Sequence, residues 1–130
     1  MSITSFASVP AMFLNRIQST PDAEAFYFPD ADDVWETLTW KDVGERVSHI
    51  ACGLRSLGVN IEERCAIVSN TRIEWILIDL GILCAGGATT TIYPTNTAEE
   101  CAFIITDSGT KFVFAENDEQ ATKILEHKKN

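Results

Sequence analysis

A chain of 130 residues with 45% hydrophobic side chains can bury a core and fold as one domain, which argues against a largely disordered segment. Its 19 acidic residues outnumber 10 basic ones, for a net charge of −9. That balance argues against nucleic acid, where a basic stripe replaces counterions on phosphates, and against docking on anionic lipid through a basic patch.

The first periodic stretch runs from Val9 to Ser19, with Pro10 at a helix start, Met12, Phe13 and Ile17 at helical spacing, and Thr20-Pro21 as a stop. Ala25–Phe28 then reads as a strand, Pro29 to Asp33 as an acidic turn and Val34–Leu38 as a return strand, so a hairpin is expected at the edge of the fold. Thr39-x-x-Asp42 has the spacing of a capping box. After it Val43, Val47, Ile50, Ala51, Leu54 and Leu57 share one helix face, closed by Gly58.

Arg64 to Glu100 is the organising stretch. Ala66-Ile67-Val68 predicts a strand, Ser69-Asn70 a polar break, and Ile73 to Ala85 a helix with almost no polar face, which must be covered on several sides. Asn70 or Thr71 is expected to cap it, with Thr71-x-x-Glu74 as a second box, and Gly86-Gly87 to end it. Ala88–Tyr93 is the next strand. The two strands and their helix form a right-handed βαβ unit whose strands should be parallel and central in a sheet.

Pro94 interrupts that strand, and Thr97-x-x-Glu100 opens a helix carrying Cys101, Phe103, Ile104 and Ile105 that ends near Ser108-Gly109. Lys111–Ala115 predicts a further strand, and Asn117 caps a last helix to about His127, leaving Lys128–Asn130 as a loose tail. The order implies an α/β fold, a mainly parallel sheet with helices on both faces, preceded by the edge hairpin. Three parallel strands make a narrow sheet with unpaired outer backbone groups. Either further chain or a second copy is expected to complete it, so a homo-oligomer through exposed strand edges is one expectation.

Cys52, Cys65, Cys84 and Cys101 lie in apolar contexts without a C-x-x-C, as reduced core residues of a cytoplasmic protein would. The N-terminus has no basic residue followed by an apolar run, so no secretory signal is expected. The apolar run Ile73 to Ala85 contains Glu74 and Asp79 and is shorter than the roughly 20 residues of a membrane span, so no transmembrane segment is expected.

The candidate motifs are weak. Gly81, Gly86 and Gly87 have the glycine spacing of a phosphate loop, but Gly87 stands where lysine is required and a helix precedes it, so packing and capping are the better account. Asp30, Asp32 and Asp33 suggest calcium, yet Trp35 occupies the glycine position of such a loop and Lys41 that of the bidentate acid; a solvated turn is favoured. His49 and Cys52 could share a metal but have no second pair at zinc spacing, and the plainer expectation is an exposed His and a buried Cys. His49 and His127 are the imidazoles, without an evident nucleophile partner. Ser69-Asn70-Thr71 and Pro94-Thr95-Asn96-Thr97 would lie at carboxyl ends of strands, where open α/β sheets bind ligands.

Taken together, Ser19–Phe26, Leu38–Lys41, Gly53–Gly58, Ser69–Trp75, Gly86–Asn96 and Ile105–Gly109 resemble, in the same order, the N-terminal part of the adenylate-forming ligases. That superfamily comprises acyl-CoA synthetases, peptide-synthetase adenylation domains and firefly luciferase. Thr91–Glu100 followed by Phe103–Gly109 is most similar to long-chain fatty acyl-CoA ligases.

The resemblance implies a two-step reaction. A fatty carboxylate attacks the α-phosphate of magnesium-bound ATP to give an acyl-adenylate and pyrophosphate, and the thiol of coenzyme A then displaces AMP. It also implies that residues 1–130 are a single N-terminal subdomain, with the phosphate loop and the mobile C-terminal domain of such ligases outside it. No catalytic, cofactor-binding or metal residue is therefore assigned within the chain. The resemblance assigns ATP, Mg2+ and coenzyme A to the parent ligase, whose remainder is the expected partner and for which peripheral membrane association is compatible with a cytoplasmic location. Two other readings stay open: a stand-alone non-catalytic binding or dimerisation module derived from that subdomain, and a small doubly wound nucleotide binder.

Overall fold

A computed structural model describes residues 5–126. Helix α1 (Val9–Ser19) is followed by strands β1 (Glu24–Pro29) and β2 (Trp35–Thr39), helix α2 (Trp40–Ser56), strand β3 (Arg64–Val68) and helix α3 (Ile73–Cys84). Strand β4 (Ala88–Ile92), helix α4 (Ala98–Ser108), strand β5 (Phe112–Ala115) and helix α5 (Asp118–Glu126) complete the described chain. The expected ends of the last helix at His127 and of the tail at Lys128–Asn130 lie outside the described residues.

The helix starts follow local chemistry. The Ser8 hydroxyl accepts the Ala11 N–H at 3.2 Å and opens α1. Both expected boxes form: Thr39 Oγ1 accepts the Asp42 N–H at 3.2 Å while the Asp42 carboxylate accepts the Thr39 N–H at 2.9 Å, and Thr97 and Glu100 exchange the same pair at 3.2 and 2.8 Å. The third box does not form. The N-cap of α3 is Arg72, whose side chain caps no backbone N–H, and Glu74 turns to the Arg72 guanidinium instead of a threonine. Asn70 is held elsewhere, by Glu116.

β1 and β2 pair antiparallel as a sheet of their own, and β4, β3 and β5 form a parallel sheet in that order. Among the described residues only β3 is central; β4, expected to be central too, lies at an edge and ends at Ile92, with Tyr93 76% exposed beyond it. The alternation of β3 serves two cores. Cys65 and Ile67 pack with Leu54, Val59, Ile82 and Ala85 under α2 and α3, whereas Ala66 and Val68 pack with Ile92 and Cys101, against Ile104 of α4 and Ile124 of α5. Helices therefore cover both faces, as the sequence implied.

The far side of α3 meets a third cluster, in which Leu77 joins Phe13, Leu38, Val43 and Val47. This second covering layer explains why α3 has no polar face: the sheet takes one side and α1, α2 and the hairpin take the other. Trp40 ties the layer together, with its ring 6.3 Å from Phe13 and 5.9 Å from Phe26.

Candidate functional site: the carboxyl ends of β3 and β5

The chain leaves β3 toward α3 on one face of the sheet and leaves its neighbours β4 and β5 toward α4 and α5 on the other. Connections that diverge in this way open a crevice at the carboxyl ends of the strands, the place where open α/β sheets bind ligands.

At the β3/β5 crevice, Glu116 reaches across from the end of β5. Its carboxylate accepts the Ser69 hydroxyl at 3.1 Å, the Asn70 backbone N–H at 2.9 Å and the Asn70 side-chain N–H at 2.9 Å. These donors, the Asn70 backbone N–H foremost, hold Glu116 below the usual carboxylate range. Ser69 and Asn70 are thus where the sequence expected them, but they are bound to a carboxylate 47 and 46 positions away. No local pattern announced Glu116.

Beside this clamp lies a groove of about 400 Å³, floored by Ile67, Trp75, Ile78, Val113 and Phe114 and rimmed by Ser69, Arg72, Glu74 and Glu116. Arg72 forks onto Glu74 with Nε at 2.6 Å and Nη2 at 3.1 Å, which raises the Arg72 pKa and lowers that of Glu74. The same pair borders a second groove of about 530 Å³ on the other side of the α3 start, walled by Phe26, Tyr27 and Phe28 of β1. The rim offers one guanidinium and two carboxylates. It can orient polar groups, but its lining holds no imidazole or thiol to form a nucleophile and base.

The other expected loop, Pro94–Thr97, is fastened from α5. Lys123 Nζ donates to the Pro94 and Asn96 carbonyls at 2.7 and 2.8 Å, and Gln120 Nε2 donates to Pro94 at 3.3 Å. The remaining candidates resolve into structural roles. Asp30 Oδ1 accepts the Asp32 and Val34 N–H groups at 2.8 and 2.9 Å, the solvated turn expected.

His49 and Cys52 are both exposed, so Cys52 is not the core residue expected; it sits on the outer side of α2, next to the inward Leu54 face. Cys84 is half-buried, and Cys65 and Cys101 are buried. Gly81 is a packing glycine, because a Cβ there would run into the Ile50 side chain of α2. Gly86 ends the α3 turn at φ 88°.

Over residues 3–130 the chain matches the family described as AMP-binding enzyme. It belongs to that family. Among curated proteins it is similar to a long-chain-fatty-acid–CoA ligase, FadD15, of Mycobacterium bovis, at 36% identity over 119 residues covering 92% of this chain and 20% of the relative. It is also similar to an uncharacterized protein of Mycobacterium tuberculosis, Rv1549, at 32% identity over 96 residues, 74% of this chain and 53% of the relative. Among solved structures, a Mycobacterium tuberculosis fatty acyl CoA synthetase superposes with a TM-score of 0.81 at 24% identity, covering 93% of this chain and 23% of that one.

The chain thus has the fold of the N-terminal part of AMP-binding ligases and spans about a fifth of the length of the FadD15 relative. Among the described residues, no helix is long and apolar enough to cross a membrane.

Proposed function

We propose that this AMP-binding family member forms the N-terminal wall of an ATP-dependent long-chain fatty acid–CoA ligase and has no ligase activity by itself. The observation that carries the reading is the 36% identity to such a ligase over 119 residues, joined to a strand-end crevice of the kind that ligands use. In the whole enzyme a fatty carboxylate would attack the α-phosphate of ATP, and coenzyme A would then displace AMP from the acyl-adenylate.

This chain's part is orientation. Glu116 holds the β3–α3 loop and Lys123 holds the β4–α4 loop, so the rim facing the reacting groups is rigid. Magnesium would be held largely by the phosphates of ATP and by residues of the remaining ligase. The partner is the remainder of the ligase, and the free thiols fit a reducing cytoplasmic setting.

ATP–pyrophosphate exchange with palmitate tests this, measured on the 130-residue chain and on the same chain fused to the remaining part of the FadD15 relative. Exchange is expected from the fusion alone. Turnover by the chain on its own would remove the claim that its chemistry lies outside it.

One observation favours a second reading, a stand-alone binding or dimerisation module: the match to Rv1549 spans about half of that relative, at 53%. The DNA after the last codon discriminates. A stop codon supports the module, and an open frame with a glycine-rich, lysine-ended loop supports the ligase.

A further inference from the structure

The loops that follow β3 and β4 start side by side, since Val68 and Ile92 are the last residues paired in that ladder. Among the described residues no hydrogen bond joins one loop to the other. Both are held from a third place. Glu116 takes the Ser69 hydroxyl and the Asn70 N–H groups of the first loop, while Gln120 and Lys123 take the Pro94 and Asn96 carbonyls of the second.

The segment that carries these clamps is stiff. The Glu116 N–H extends the pairing of β5 by donating to the Val68 carbonyl at 3.1 Å, and Asn117 caps α5 by accepting the Gln120 N–H at 3.0 Å. Gln120 is buried although it is polar, at 5% exposure, and it lies one helical turn from Lys123 on the same face. Ile124, next along α5, packs into the core cluster of Ala66, Val68, Ile92 and Cys101. A displacement of the β5–α5 corner therefore moves both sets of clamping groups together.

We propose that residues 116–123 couple the two strand-end loops, so that opening either one loosens the other. The reason is entropic. Each clamp fixes the β5–α5 corner, and a clamp that closes on a corner already fixed by the other loses less conformational entropy in doing so. Whatever orders the loop at Ser69 and Asn70 thereby orders the loop at Pro94 to Thr97, and reciprocity requires the same coupling in the opposite direction. The inference uses contacts inside the chain alone and does not rest on the ligase reading.

Native-state amide exchange followed by NMR tests this on the intact chain, as the unchanged protein, Glu116→Gln, Lys123→Met, the double variant and Thr39→Ala. The reporters are the Asn70 N–H, bonded to Glu116, and the Asn96 and Thr97 N–H groups, bonded to the Tyr93 carbonyl at 3.0 Å and the Glu100 carboxylate at 2.8 Å. None of them adjoins a substituted position, so their intrinsic exchange rates stay the same.

Glu116→Gln should speed exchange at Asn70 about tenfold or more, through the lost charged bond, and at Asn96 and Thr97 about fivefold, through the coupling. Lys123→Met should give the mirror image. The double variant should fall short of the product of the two single effects, because the first change has already released the shared corner. Thr39→Ala lowers global stability through the cap of α2 and should leave both loops at their own rates, since they open locally. A distant loop that keeps its original rate in either single variant, a double variant equal to the product, or a Thr39→Ala effect as large as the distant-loop effect would each overturn the proposal.

Discussion

Glu116 and Asn70 close the ends of two adjacent parallel strands onto each other, through the Asn70 backbone and side-chain N–H groups at 2.9 Å each. The bonds require a carboxylate, and that requirement makes stability depend on acid. Glu116, Glu63, Glu100, Glu74 and Asp42 all titrate below their ordinary values, so at acid pH the unfolded chain binds more protons than the folded one. Stability should be fully present above the ordinary glutamate value of 4.5 and decline as pH falls through the lowered values. Urea midpoints compared at about pH 7 and about pH 3 will show the fall, and Glu116→Gln should be less stable at the higher pH and lose less between the two.

Gly109 closes α4 at φ 62°, and a Cβ there would lie 2.9 Å from Arg64 Nη2. Arg64 is fixed where it is because its Nε donates to the Ser108 carbonyl at 2.5 Å, satisfying an end group of α4. Gly109→Ala should cost about 1–2 kcal/mol for the left-handed backbone alone. Part of any excess should vanish in Gly109→Ala/Arg64→Ala, since that pair removes the clash; a double-mutant cycle by urea unfolding measures it.

Close approach of α2 and α3 depends on Gly81. Its missing side chain leaves room for Ile50, and Gly81→Ala should lose about 1–3 kcal/mol through overpacking. Gly81→Ala/Ile50→Ala should be more stable than the sum of the single changes allows, because the smaller side chain at position 50 admits the new methyl group.

The caps give a graded comparison. Thr39→Ala and Thr97→Ala each remove the hydroxyl of a formed capping box and should each destabilise the chain by about 0.5–2 kcal/mol in thermal or urea unfolding. Thr71→Ala should change almost nothing: the same sequence pattern is present there, yet α3 starts at Arg72 without a side-chain cap.

Those three threonines mark what could be read without the fold. Where a box lies next to a helix whose first turn is free, as at Thr39 and Thr97, all the partners sit within three residues and the sequence is sufficient. At Thr71 the neighbouring polar groups have other partners, Asn70 the distant Glu116 and Glu74 the adjacent Arg72 at the helix N-cap, and the box does not form. Cys52 misled for a related reason: its neighbours in sequence are apolar, but on a helix Ala51 and Leu54 turn inward while position 52 turns out.

By itself the sequence determined the helices, the existence of β3, the hairpin and the family, because helix periodicity, capping and short β-branched runs are written in residues a few positions apart. Only the tertiary structure decided that β3 lies between β4 and β5, that Glu116 and Lys123 fasten the loops at the strand ends, and which strand edges stay open. Those features come from groups tens of residues apart meeting across the sheet, and the contact of α5 with the β4–α4 loop exists only once the chain has crossed from one edge to the other.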